Sequence, residues 1–419
     1  MSPSEADDLL HRAFPYGATV RLELGGEFLS LRYRGGRGTR SDCLGVYFVR
    51  DPGDTSADVS PLTLERAAMS GRLTLPTGRV RRPEAGDCHL LSFPLEAFVG
   101  PQSSDPQKPD RDMFRARMRL HQSWWRTFRL RVPFGNGPSR TSTTPFGNML
   151  LPGHGAAGLN FVSPEAHLSF QGTMAARRTG VKRWDTAHNL LTSQAMCFNV
   201  FGHLRHHPDL AAAFFTEVLG EAPASHVERV EIEHHSDAIT DRTAFDAYAF
   251  RSGAGDVAIE TKLTEPFSRD RYDWNCYLRT CAAATGRWTT DDPELLGDLR
   301  WSQLWRNHLL AVAEHLRSVD HRCGNRGGGC RDPHRGGGPD WPKAIVVHHP
   351  LDTKCIDAID GYRSLLTDPD DVVGVDLRKV VDTLRRLVDG DPRQREWIDR
   401  LDERYLRLDL SEPLVGLPH

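Results

Sequence analysis

TAFDAYAFRSGAGDVAIETKLTEPF, residues 243–267, reads as two strands joined by the turn Ser252-Gly253-Ala254-Gly255. Alternate side chains of a strand share a face. On the second strand Ala258, Glu260 and Lys262 then point one way and Val257 and Ile259 the other. On the first, Asp246, Tyr248 and Phe250 share a face, opposite Phe245, Ala247 and Ala249. Charged side chains thus sit inside segments that otherwise read as buried sheet. An unpartnered buried charge is expensive, so these positions call for a salt bridge, a metal, or both. A solvated ion pair on an edge hairpin is the competing reading. Two carboxylates, Asp246 and Glu260, together with the Thr261 carbonyl, offer oxygen donors to a hard divalent cation, Mg²⁺ or Mn²⁺. Lys262 on the same face would reach a phosphate oxygen or an attacking water. The chain has six lysines against forty-seven arginines. A lysine inside a strand of such a chain suits a compact ammonium whose pKa can shift, which a guanidinium cannot offer.

Outward from this stretch the order of elements is regular. NLLTSQAMCFNVFGHL (189–204) is helical in pattern, and PDLAAAFFTEVLG (208–220) is a second helix between Pro208 and Gly220. HVERVEIEHH (226–235) precedes the two strands as a third; WSQLWRNHLLAVAEHLRSV (301–319) is a helix and AIVVHHP (344–350) a buried-type strand. Beyond residue 370 the chain is helical and acidic, with 16 acidic and 11 basic residues in 351–412.

Asp, then Glu-x-Lys a hairpin later, within this order, resembles the PD-(D/E)xK nuclease superfamily, the restriction-endonuclease-like fold. SQAMCFNVFGHL (193–204), DRTAFDAY (241–248) and QLWRNHLLA (303–311) resemble a bacterial branch of restriction endonucleases in it. The resemblance covers about 113–365. It implies an α/β fold, a mixed sheet flanked by helices with an αβββαβ core. It also implies metal-dependent hydrolysis of phosphodiester bonds in DNA, in a restriction or anti-phage setting. Carried over by position, Asp246 and Glu260 are metal ligands and Lys262 is the catalytic lysine. The family often has an acid on the first core helix, where this chain offers Gln194, which joins the catalytic candidates. An inactive nucleic-acid-binding or assembly subunit of a defence system is the alternative.

Residues 18–100 carry short strands with turn signals, among them ATVRLEL and EFLSLRYR around Gly25-Gly26, then CLGVYFVR, GRLTLPTGRV and CHLLSFPLEAFV. The expected organisation is a smaller β-rich domain over 1–105, a Pro- and Ser-rich linker over 106–112 and a nuclease-like domain with C-terminal helices over 113–419. The net charge of −3 excludes a uniformly basic nucleic-acid binder. A local patch remains: residues 111–140 hold eight Arg against the single acid Asp112. Arg115, Arg117, Arg119 and Arg126, with Lys182 and Arg183, are the candidate nucleic-acid contacts.

Cys323, Cys330 and His334 sit in a Gly/Arg-rich loop and would hold zinc only at a spacing unlike common zinc knuckles. Eight scattered Cys point to a reduced, cytoplasmic setting, and no apolar run suits a membrane span. One Asp…Glu-x-Lys set and no repeat point to a homodimer for double-strand cleavage.

Overall fold

The computed structural model describes residues 110, 112–176, 180–221, 226–238, 243–269, 280, 284, 286–324, 341–411 and 414–416, and five strands before residue 100. It forms two compact units. The first comprises 1–157, 188–191 and 407–419; the second comprises 158–187 and 192–406. This division differs from a boundary at 105–113. Apolar strands and helices bury their faces where tertiary partners exist, which composition shifts along the chain do not report.

In the first unit, β1 (Thr19–Leu24) and β2 (Glu27–Arg32) form the antiparallel hairpin that Gly25-Gly26 announces. β3 (Cys43–Val49) pairs with β4 (Cys88–Pro94). β5 (Phe98–Val99) pairs with the C-terminal β13 (Leu414–Gly416), which runs parallel to β1. The segment GRLTLPTGRV lies outside the described residues. Helix α1 (Met113–Trp124) starts at Asp112, whose carboxylate accepts from the Arg115 amide. It runs into a π-helical segment, Trp125–Leu130, that ends at a left-handed Arg131 (φ 56°). The hairpin of β6 (Phe134–Asn136) and β7 (Pro145–Leu150) follows.

The second unit is built on a five-stranded mixed sheet of order β12-β11-β10-β9-β8. Its strands are β8 (His226–His235), β9 (Ala244–Ser252), β10 (Val257–Lys262), β11 (Lys343–His348) and β12 (Val372–Asp376). β8, β9 and β10 pair antiparallel; β10, β11 and β12 pair parallel. Helices α2 (Pro164–Ala175), α3 (Ser193–Cys197) and α4 (Pro208–Leu219) pack on the β8–β10 side. The helix read over 189–204 is shorter: it starts at Ser193 and widens into a π-helical segment at Phe198–Gly202. Helices α5 (Ser302–Gly324) and α6 (Thr353–Arg363) cover β10–β12. The acidic C-terminal stretch forms α7 (Leu377–Leu387) and α8 (Pro392–Tyr405), started by the side chains of Asp376 and Asp391.

Tyr248, Ala258, Ala344 and Val346 of the sheet join Trp301, Leu304, Trp305, Leu309, Ile359 and Tyr362 in one apolar core. Each large apolar side chain buried there contributes roughly 1.5–3 kcal/mol. Phe245, expected on the opposite face, joins this core too. Asp246 and the Glu260–Lys262 pair lie outside this core, at neighbouring ends of β9 and β10, and the site lies there.

Candidate active site

β9 and β10 oppose Tyr248 to Ala258 and Ala247 to Ile259. One step further brings Asp246 level with Glu260, where the ladder ends. In place of a ladder bond, the Asp246 carboxylate reaches across: Oδ2 accepts the Thr261 amide at 2.7 Å and lies 2.7 Å from the Thr261 hydroxyl. A strand residue sends its N–H and C=O to the same edge, so the Thr261 carbonyl opens beside Asp246. Oδ1 of Asp246 accepts no hydrogen bond among the described residues.

Glu260 and Lys262 are 6% and 7% exposed. Lys262 Nζ is 2.9 Å from Glu260 Oε1 and donates to Gln303 Oε1 at 3.1 Å. Gln303 donates through Nε2 to Glu260 Oε1 at 2.6 Å, and Asn307 donates to Glu260 Oε2 at 2.7 Å. One turn of α5 thus fixes both ends of the Glu260–Lys262 pair. Phe267 closes the other side, with its ring centre 5.1 Å from Nζ.

Gln194 holds a different place from that of an acid on the first helix. Its oxygen accepts from the Thr186 hydroxyl at 2.8 Å and the Lys182 amide at 3.2 Å, and its amide donates to Glu233 Oε1 at 2.8 Å. Glu233 is the residue that sequence reasoning missed. It stands between the pairs Ile232–Ala247 and His234–Phe245, level with Asp246. Its backbone is left-handed (φ 55°), rare for a residue other than glycine, Asn or Asp. That turn breaks the alternation of β8 and aims the carboxylate at Gln194. No sequence signal marks it.

The electrostatics are those of crowded acids. Burial, then Glu260 and Glu233, hold the Asp246 carboxyl well above the ordinary carboxylate range. Burial pushes Glu233 up to about 7, against the opposing hydrogen bonds from Gln194 and Gly180. Burial also works against the Lys262 ammonium, but Glu260 and Asp246 outweigh it and its pKa lies above the usual lysine value. These neighbouring acids thus favour the charged form of Lys262 over the neutral amine.

Glu260 and Asp246 face the Lys262 ammonium, all donors are hard oxygens, and an Asp246 oxygen is uncommitted among the described residues. This donor set fits a hard divalent cation. Among the described residues no three His, Cys, Asp or Glu side chains by themselves enclose a metal ion. Asp246, Glu260 and the Thr261 carbonyl are the fitting donors, since Mg²⁺ keeps several waters and takes one or two carboxylates.

A pH dependence follows from Glu233. Its carboxyl takes up protons near 4.5 when unfolded and about 7 when folded, so between these values the folded chain binds more protons. Stability from this group is fully present below the lower value and is lost as pH rises through the upper one, by at most about 3 kcal/mol. Urea unfolding without divalent cation should show a lower midpoint at pH 8 than at pH 5, and Glu233→Gln should shrink that difference. An unchanged difference in the variant would place the titrating group elsewhere.

Of the nucleic-acid candidates, Lys182 and Arg183 are exposed, and Arg115 and Arg117 are half-buried. Arg119 and Arg126 are corrected. Arg119 is 6% exposed, donates to Asp110 Oδ2 at 2.6 Å and to Asn148 Oδ1 at 2.8 Å, and serves the interior. Arg126, 2% exposed, donates to the Gly147 carbonyl at 2.7 Å and to that of Val132. Neither is available to phosphate. The Arg-rich run solvates one face and uses its inward arginines to satisfy carbonyls and an acid. The zinc set Cys323, Cys330 and His334 falls on side chains outside the described residues.

Compared with known families, residues 104–407 match the family model described as PD-(D/E)XK nuclease superfamily. No curated protein and no solved structure matches the chain.

Proposed function

Because the chain belongs to the PD-(D/E)XK nuclease superfamily, we propose that it hydrolyses phosphodiester bonds of DNA with a divalent cation, Mg²⁺ or Mn²⁺. The observation that supports this best is the meeting of Asp246, Glu260 and Lys262 at the open ends of β9 and β10. When bound, the cation would polarise the scissile phosphate and lower the pKa of an attacking water. Asp246, Glu260 and the Thr261 carbonyl would hold it. Lys262 keeps its proton on Nζ and presents it to a non-bridging phosphate oxygen, where charge grows as the water attacks. Gln303 and Asn307 keep the Glu260 carboxylate and the ammonium from collapsing into an unproductive rotamer. The core of Tyr248, Trp301 and Trp305 keeps bulk water from one side of the site. Incubation of purified protein with plasmid, with Mg²⁺, with Mn²⁺ and with a chelator, is the test. Cleavage that persists in chelator, or none with either cation, refutes the proposal; the latter favours an inactive binding subunit.

The nucleic-acid surface is supported by charge. No Asp or Glu occurs between Asp112 and Glu165. Arg129, Arg131 and Arg140 are exposed there, along with Phe128 and Phe134. They replace Arg119 and Arg126 beside Arg115 and Arg117 in the set proposed for the first unit; Lys182 and Arg183 are a separate candidate on the second unit. Replacing Arg129, Arg131 and Arg140 by Ala should lower the log–log salt slope of duplex binding by roughly 0.9 for each phosphate no longer neutralised. Arg119→Ala should instead destabilise the fold by up to about 3 kcal/mol, since it takes from the buried Asp110 its nearer cation and leaves Arg115 at 3.5 Å. An unchanged slope in the triple variant puts the binding face elsewhere.

The setting we propose is restriction or anti-phage defence in the cytoplasm, with partner proteins of such a system. Among the described residues no helix is long and apolar enough to cross a membrane. One active-site set per chain cuts one strand, so a homodimer would deliver double-strand cleavage. Its interface would avoid the arginine face, where like charges would meet at a cost of several kcal/mol. Solution mass measured alongside plasmid products decides this: a monomer that only nicks discards the dimer and keeps the nuclease.

A further inference from the structure

The first helix of the site carries an amide where a carboxylate would complete an acidic set, yet that amide is not idle. Every polar atom of Gln194 has an assignment. Its oxygen takes the Thr186 hydroxyl and the Lys182 amide, which fixes the side-chain orientation and turns Nε2 toward Glu233 at 2.8 Å. Glu233 is held from its other side by the Gly180 amide. A side chain added at Gly180 would come within 2.8 Å of Glu233 Oε2, so the loop lies close against the carboxylate. Glu233 reaches this place through a left-handed backbone inside a strand. Such a conformation typically costs about 1 kcal/mol or more and persists where the surroundings enforce it.

Glu233 stands in strand register with Asp246, which stands in register with Glu260, so neighbouring strands deliver three acids in one row. Glu233 makes no hydrogen bond to either of the other two. A structural carboxylate on β8 would be better served by a cation: Arg229 pairs with Glu231 two residues earlier, and Arg251 of the neighbouring strand pairs with Glu221. Among the described residues the partners of Glu233 are neutral amides. Among the described residues no cation pairs with Glu233, and Glu260 is the charged group that acts on it.

We propose that Glu233 is the outer carboxylate of the cation site, accepting hydrogen bonds from the cation's water, and that Gln194 is the positioning residue that holds it there. The acid has moved from helix to strand, and the helix keeps the isosteric amide as its brace. This rests on the reading of Asp246 and Glu260 as cation ligands. Outer carboxylates of this kind are worth about 10–100-fold in metal affinity.

The exchange of acid and amide is the test, because it preserves every bond. In Q194E/E233Q the carboxylate at 194 still accepts from Thr186 and Lys182, and the amide at 233 donates to it. Mn²⁺ binding to the full-length protein is measured by titration calorimetry at pH 8. E233Q should weaken binding about tenfold or more. The double exchange should restore it to within about threefold of the unmodified protein, as the acid returns to the row from the helix side. Wild-type Mn²⁺ affinity in E233Q overturns the proposal. So does a folded double variant, checked by circular dichroism, that stays as weak as E233Q. If E233Q does not fold, the double variant decides alone. D246N measured in parallel separates the two levels: if it too binds Mn²⁺ like the unmodified protein, the cation site itself has been misplaced.

Discussion

Lys262→Ala is expected to lower single-turnover cleavage by about a thousandfold or more, with nucleic-acid affinity nearly unchanged. Removal of one preorganised donor facing developing charge typically costs about 10²–10³ in rate, and proton-handling roles reach about 10⁴. Lys262 belongs at the upper end, because Glu260, Asp246 and Glu265 all act on its ammonium and it is buried between Glu260, Gln303 and Phe267. Its removal also releases Glu260 and Asp246 to repel each other. Lys262→Arg should fail as well. The cradle around Nζ offers Glu260 Oε1 at 2.9 Å and Gln303 Oε1 at 3.1 Å to a point charge, and a planar guanidinium needs a wider one. Quenched-flow cleavage of a supercoiled plasmid measures the rate, and anisotropy at matched salt measures affinity. Full activity in Lys262→Arg would mean that the position supplies only diffuse positive charge.

The sheet and the pair at its heart were legible because they follow from period two. Strands 226–235, 243–251 and 256–263 reappear as His226–His235, Ala244–Ser252 and Val257–Lys262. The same periodicity that brought Asp246 and Glu260 to one row hid Glu233. In HVERVEIEHH it places Glu231 and Glu233 on one face. The left-handed residue 233 breaks that face, so Glu231 pairs with His234 while Glu233 turns to Gln194. Glycine would have announced such a residue; glutamate does not. Gln194 looked like a missing acid for the same reason, since its partner comes from another element 39 residues on.

Arginine misled in the opposite direction. A run dense in Arg reads as a solvated, phosphate-seeking face, but Arg119 and Arg126 satisfy Asp110, Asn148 and the Gly147 carbonyl within the first unit. These partners lie up to 29 residues away, beyond any local pattern. The pairing of β13 with β1, across nearly the whole chain, was invisible for the same reason. What local periodicity carries is the direction of a side chain. What it omits is the partner found only after folding.

Asp246→Asn is expected to stabilise the cation-free protein by about 1–2 kcal/mol while abolishing cleavage. The Asp246 carboxyl is held well above its ordinary range by burial and by Glu260 and Glu233, so its charge is a cost to the folded state at neutral pH. Asparagine keeps the carbonyl oxygen that accepts from the Thr261 amide and hydroxyl and drops the charge. Single stabilising substitutions commonly yield about 0.5–2 kcal/mol, with function as the recurrent cost. Divalent cation should reverse the order. A ligand that binds only the folded state at a hundred times its Kd stabilises it by about 2.7 kcal/mol, and the variant, lacking a principal donor, should gain little of this. Urea midpoints of the two proteins at neutral pH, with and without Mn²⁺, should therefore cross. A variant less stable than the parent without cation would show that Asp246 is held by its hydrogen bonds more strongly than it is repelled. An equal gain with Mn²⁺ in both proteins would remove Asp246 from the cation site, and with it the chemistry assigned to the ends of β9 and β10.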